Sequence, residues 1–158
     1  MNADSFGILI HGYGNPGRRD DGLGVVFSER MEAWARSHQL AHIRTDCDYQ
    51  LHIEDAASLA EVDEVYFVDA SKSDIDSFRL SDVDPEPRPG FTGHSVTPGY
   101  VLYLCETLYG RRPACRLLEI RGTDWEMGEG LSVEAARNLE LAFEFLCRRL
   151  TLGDDQRG

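Results

Sequence analysis

Short apolar runs alternate along the chain with amphipathic stretches. FGILIHG, residues 6–12, is apolar and ends in glycine, which predicts a buried strand. Leu23, Phe27, Met31 and Trp34 then recur at helical spacing, with Glu29, Arg30, Glu32 and Arg36 between them. That pattern predicts an amphipathic helix over about 21–37. HIRTDCDYQ is a weaker strand candidate, and IEDAASLAEV reads as a short helix. In DEVYFVDAS, residues 63–71, Val65, Tyr66, Phe67 and Val68 are apolar without alternation, as expected of an inner parallel strand covered on both faces. Residues 72–93 are polar and proline-rich, with an edge strand possible around FRLSDV. Thr97-Pro98 opens a helix over VLYLCETLYG, because threonine caps and proline is tolerated at the first helical position. ACRLLEIRG is a further strand, and Ser132 caps a last helix to about Leu150.

The order β-α-β-α-β-loop-α-β-α predicts an α/β fold: a single three-layer α/β/α domain with a mostly parallel twisted sheet and helices on both faces. The 158 residues suit one domain over residues 1–150, with 151–158 as a frayed tail. No apolar run approaches the length of a membrane span, and the N-terminus has no signal-peptide pattern, so a cytoplasmic protein with no membrane partner is expected. The net charge of −12, with Lys72 the only lysine, argues against a nucleic-acid partner. The cysteines Cys47, Cys105, Cys115 and Cys147 form no C-x-x-C pair. Cys105 and Cys147 fall on apolar helical faces and read as small core residues.

In such sheets, ligands gather beyond the carboxyl ends of the strands. The loop after the first strand, GYGNPGRRDDGLG, contains G-x-G-x-x-G, the dinucleotide fingerprint, at Gly12, Gly14 and Gly17. Pro16 removes a donor from that turn, and Asp20 and Asp21 would repel a pyrophosphate. The alternative is a metal. One carboxylate from this loop, which carries Asp20 and Asp21, with Asp69 at the end of the central strand and His94 just before a helix, forms an O, O, N donor set suited to Ni²⁺, Zn²⁺ or Mn²⁺. Each also has a bland role: a helix cap for Asp21, a strand-end turn for Asp69, a surface loop for His94.

The segments GYGNPGRRDDGLG, YFVDAS, GHSVTPGYVLYLCETLYG and DWEMGEGLS, in this order, resemble the hydrogenase maturation proteases. These are the endopeptidases that trim the C-terminus of the nickel–iron hydrogenase large-subunit precursor. The resemblance covers roughly residues 6–146. It implies that Asp21, Asp69 and His94 are the metal-contacting and catalytic residues, and that the nickel is borne by the precursor. Where many members have an Asp-Gly-Gly-Thr turn after the second strand, this chain departs from the pattern and reads TDCDYQL, with Asp46 and Asp48 the candidates for that aspartate.

Asp20, Asp46 and Asp48 are the candidates for orienting a water or shuttling its proton. No nucleophilic serine or cysteine is indicated. His11 ends the first strand close to the proposed site; packing or a simple hydrogen bond is its expected role, and support of the site the alternative. His38, His42 and His52 read as surface or turn residues, and Trp125 and Met127 as packing against the sheet. Arg18 and Arg19 read as solvated, with a substrate carboxylate as the other option. Two other functions fit the same residues: a nickel-binding assembly chaperone that does not cleave, and a nucleotide-binding module.

Overall fold

The computed structural model describes residues 7–88 and 96–152. Five strands form one sheet: β1 (Ile8–Tyr13), β2 (Ile43–Asp48), β3 (Glu64–Ser71), β4 (Phe78–Asp82) and β5 (Ala114–Arg121). Four α-helices cover it: α1 (Leu23–Ser37), α2 (Asp55–Leu59), α3 (Pro98–Tyr109) and α4 (Val133–Thr151). The strand order is β2-β1-β3-β5-β4, with β4 antiparallel to β5 and the other pairings parallel. The expected α/β architecture is therefore present, and the edge strand expected near FRLSDV is β4.

Two apolar clusters lie on opposite faces of the sheet. Ile8 and Ile10 of β1 point into a cluster with Phe27 and Met31 of α1 and with Leu139 and Leu146 of α4. Leu9 of the same strand points the other way, toward Leu59 of α2 and Leu102 of α3. This alternation buries both faces of β1 and β3, which explains their unbroken apolar runs. Cys105 and Cys115 are buried as core residues and Cys147 packs against the core, whereas Cys47 is exposed.

The helix starts follow their local chemistry. The Thr97 hydroxyl accepts from the Tyr100 N–H at 3.2 Å, and Pro98 occupies the first turn. The Ser132 hydroxyl accepts from the Ala135 N–H at 3.1 Å. The first helix begins two residues later than expected, because Arg19–Gly22 forms a separate 3₁₀ turn before α1. The tail is expected from residue 151, but Thr151 is the last residue of α4; residues 153–158 lie outside the described residues.

Strand order reverses between β1 and β3: from β1 the chain crosses to β2 on one side, and from β2 it crosses back over β1 to β3 on the other. Such a reversal opens a crevice at the carboxyl ends of the two strands. The loop carrying Asp21 and the strand end carrying Asp69 both border it.

Candidate functional site

The glycine loop is packed rather than open. A Cβ on Gly12 would stand 1.9 Å from the Gly24 carbonyl oxygen, so β1 and the start of α1 touch through bare backbone. Gly14 has φ +142°, and a Cβ there would lie 2.0 Å from the Asp21 carbonyl oxygen. The backbone N–H groups of the loop are also committed. Gly14 N–H donates to Asp48 O, Asn15 N–H to the Asp21 carboxylate, Gly17 N–H to the Asn15 side chain and Arg18 N–H to Asn15 O. The N–H groups of Arg19, Asp20 and Asp21 donate to Gly128 O, Asp124 O and Arg18 O. A pyrophosphate would find none of these donors free, so the G-x-G-x-x-G here is a folding device and not a dinucleotide cradle.

Adjacent aspartates in this loop have opposite fates. Asp20 is fully buried. Its carboxylate accepts from Thr123 N–H and Asp124 N–H, each at 2.8 Å, from Ser132 N–H at 2.8 Å and from the Ser132 hydroxyl at 2.7 Å. Burial opposes its ionisation, but these donors outweigh burial and hold its pKa below the ordinary value. Asp20 thus ties the 3₁₀ turn to the loop after β5 and to the start of α4. A carboxylate that is fully buried and engaged by four structural donors fits a folding role better than that of a proton shuttle.

Asp21 is partly exposed, and one of its oxygens accepts from Asn15 N–H at 2.9 Å. Asp69 sits near the end of β3, opposite Glu119 of β5. Burial pushes its pKa up to about 7, with the negative charges of Asp21 and Glu119 adding to the effect. The Ala70 N–H, at 2.8 Å, and the Tyr13 hydroxyl donate to it and only partly offset that rise. Tyr13 is in turn raised well above the usual phenol range, by burial first and then by the Asp69 charge. The structure therefore brings Asp21 and Asp69 together in the crevice as an under-compensated acidic pair. His94 lies outside the described residues.

On β2, Asp46 and Asp48 are both exposed. Asp48 pairs with His52 at 3.1 Å, and Asp46 stands opposite His11 across the β1–β2 pairing. His38 and His42 are exposed, as expected. Met127 is 73% exposed, so its expected packing against the sheet is corrected: the 123–132 loop holds it away from the core. Trp125 is half-buried, and Lys72 lies over its ring with Nζ 5.0 Å from the centroid. Arg18 is exposed and Arg19 faces Asp124 at 3.6 Å.

No family model and no curated protein matches this chain by sequence. Solved structures do. The nickel–iron hydrogenase maturation protease HycI from Thermococcus kodakarensis superposes with a TM-score of 0.70 at 20% identity, over 92% of this chain and 93% of that one. This chain has the fold of the hydrogenase maturation proteases. The hydrogenase maturating endopeptidase HybD from E. coli gives a TM-score of 0.69 at 19% identity, with 92% of each chain covered. The hydrogenase 2 maturation peptidase from a thaumarchaeote gives 0.66 at 16% identity, over 93% of this chain and 99% of that one.

Proposed function

We propose that this chain is an endopeptidase that removes the C-terminal extension of a nickel–iron hydrogenase large-subunit precursor after nickel insertion, recognising the nickel that the precursor carries. The observation that supports this most is the Asp21–Asp69 pair in the crevice between β1 and β3, with Asp69 pushed up to about 7 by burial and neighbouring negative charge. Two carboxylates held this way repel each other and favour an arriving cation. The chemistry of the donors fits a divalent transition ion, with His94 as the nitrogen donor of the set.

Each carboxylate already has its orientation. Asn15 N–H holds one oxygen of Asp21, while Ala70 N–H and the Tyr13 hydroxyl hold Asp69. Asp69 holds its proton up to about pH 7, and that proton must leave before the residue can contact a metal. A bound divalent ion supplies polarisation of a carbonyl beside it. The attacking group is water. Burial raises the thiols of Cys115 to about 12 and Cys147 to about 11, and raises Cys105 as well. Asp48, exposed at the end of β2, is the acid assigned to position that water, because Asp46 faces His11 instead.

The test uses nickel-loaded and nickel-free precursor from one source, incubated with wild-type protein and with Asp21→Asn, and follows intact mass. Loss of a short C-terminal peptide from the nickel-loaded precursor alone, abolished or greatly slowed by Asp21→Asn, is the expected result. An unchanged mass despite complex formation refutes cleavage and turns the reading to a nickel-binding assembly chaperone.

A further inference from the structure

His11 is the unexplained residue of β1. It is 1% exposed, and neither ring nitrogen has a hydrogen-bond partner. Buried imidazoles are nearly always satisfied, so an orphan of this kind points to something that completes it. Two carboxylates flank the ring. Nδ1 lies 3.8 Å from Asp46 Oδ2, and Nε2 lies 3.7 Å from Asp55 Oδ2. Both separations are too long for hydrogen bonds. The two nitrogens point to different sides of the ring, so a single ion takes one of them together with an oxygen from each carboxylate; atoms each about 2.0–2.2 Å from a zinc-sized cation stand about 3–3.5 Å apart. One ligand atom from each of His11, Asp46 and Asp55 lies within 4.8 Å of the others, so small side-chain movements close the set.

We propose that His11, Asp46 and Asp55 form a divalent-cation site separate from the Asp21–Asp69 pair. One imidazole nitrogen with two carboxylate oxygens selects a borderline transition ion such as Zn²⁺ or Ni²⁺ over Ca²⁺ or Mg²⁺, which prefer oxygen alone. The carboxylates are already oriented. Asp46 accepts from Cys47 N–H at 2.9 Å, and Asp55 accepts from His52 N–H at 2.8 Å. The Asp46 side chain is 55% exposed, which gives an ion a path from solvent and leaves room for water ligands. An ion here joins β1, β2 and α2 at one point. It also lies beside Tyr13, whose ring centroid is 6.4 Å from that of His11 and whose hydroxyl contacts Asp69. The site therefore braces one wall of the crevice, and it holds whether or not the chain cleaves a precursor.

The test takes full-length, chelator-treated protein carrying Asp21→Asn and Asp69→Asn, so that the crevice carboxylates contribute nothing. Zn²⁺ is titrated by equilibrium dialysis with a thermal-shift readout, and Co²⁺ is followed by its d–d spectrum. The expected result is one equivalent of ion bound, a raised melting temperature, and at least a tenfold weaker affinity once Asp46→Ala is added. His11→Leu, which removes the orphan polar group without leaving a cavity, abolishes the Co²⁺ spectrum while the protein stays folded by circular dichroism. The proposal is overturned if the double variant binds no ion, or if Asp46→Ala and His11→Leu leave its affinity unchanged.

Discussion

Asp69→Asn tests whether the crevice stores unfavourable charge. The Asp69 pKa rises on folding from an ordinary 3.8 to about 7. Between these values the native state binds more protons than the unfolded state, so wild-type stability falls as pH rises, by about 1.4 kcal/mol per pH unit at most. The full interval corresponds to a ceiling of about 4 kcal/mol, and incomplete burial of the carboxyl brings the expected loss to about 2–3 kcal/mol. Asparagine keeps the shape and cannot ionise, so the variant should gain on wild type by that amount between pH 4 and pH 7 and by nothing further above it. Urea unfolding at pH 4, 5.5, 7 and 8 measures this. With a slope of roughly 1–3 kcal/mol per molar urea, the midpoints should diverge by about 1–2 M. Parallel midpoints across the series would refute the claim that burial and the Asp21 charge act on Asp69. A divalent ion that engages the pair should restore wild-type stability at pH 8 and leave the variant nearly unaffected.

Asp20→Asn should cost at least about 3 kcal/mol in urea unfolding, because hydrogen bonds to a buried charge are each worth about 1.5–3 kcal/mol and four are disturbed. The Asp20 pKa is lowered on folding, so the stabilisation it gives is present above the ordinary carboxylate value and is lost as pH falls below it. The variant should therefore lack that part of the acid unfolding limb. Gly12→Ala should prevent accumulation of folded protein, since no side chain can yield where the added carbon meets the Gly24 backbone; a folded, soluble variant with native circular dichroism would contradict this packing. Iodoacetamide should modify Cys47 first in the native protein and reach Cys105 and Cys115 only on unfolding; fast labelling of all four, read by intact mass, would show that the core thiols are accessible.

The elements were legible because each carries its own period or stop signal. Unbroken apolar runs marked β1 and β3, the i, i+4 spacing from Leu23 to Phe27 to Met31 marked α1, and Thr97-Pro98 and Ser132 marked two helix starts. The strand-end rule also drew Asp21 and Asp69 from the sequence to the same crevice. What escaped depends on partners far along the chain. Asp20 and Asp21 are neighbours of the same type in the same turn. Only the return of the chain at residues 123 to 132, more than 100 positions away, gives Asp20 its donors. His11 read as a packing residue because nothing local shows that Asp46 and Asp55 close on it from two other elements. Met127 read as core because its apolarity is local, whereas its exposure follows from the turn that Asp20 holds in place.

The acids at this end of the sheet differ in how many donors face them, and that difference separates folding from binding. Asp20 faces four donors and no acid within its hydrogen-bonded set, so its charge is held by the fold. Asp69 faces two donors against the charges of Asp21 and Glu119, so burial wins and its proton is retained to about pH 7. Glu119 itself is drawn off by Arg79, which donates to it at 2.8 Å from β4, and among the described residues no arginine forms an ion pair with Asp21 or Asp69. A protein that needed only stability would place the guanidinium on the buried acid. Here the cation is spent one strand away, and the crevice keeps a deficit of positive charge that an incoming metal ion is suited to fill.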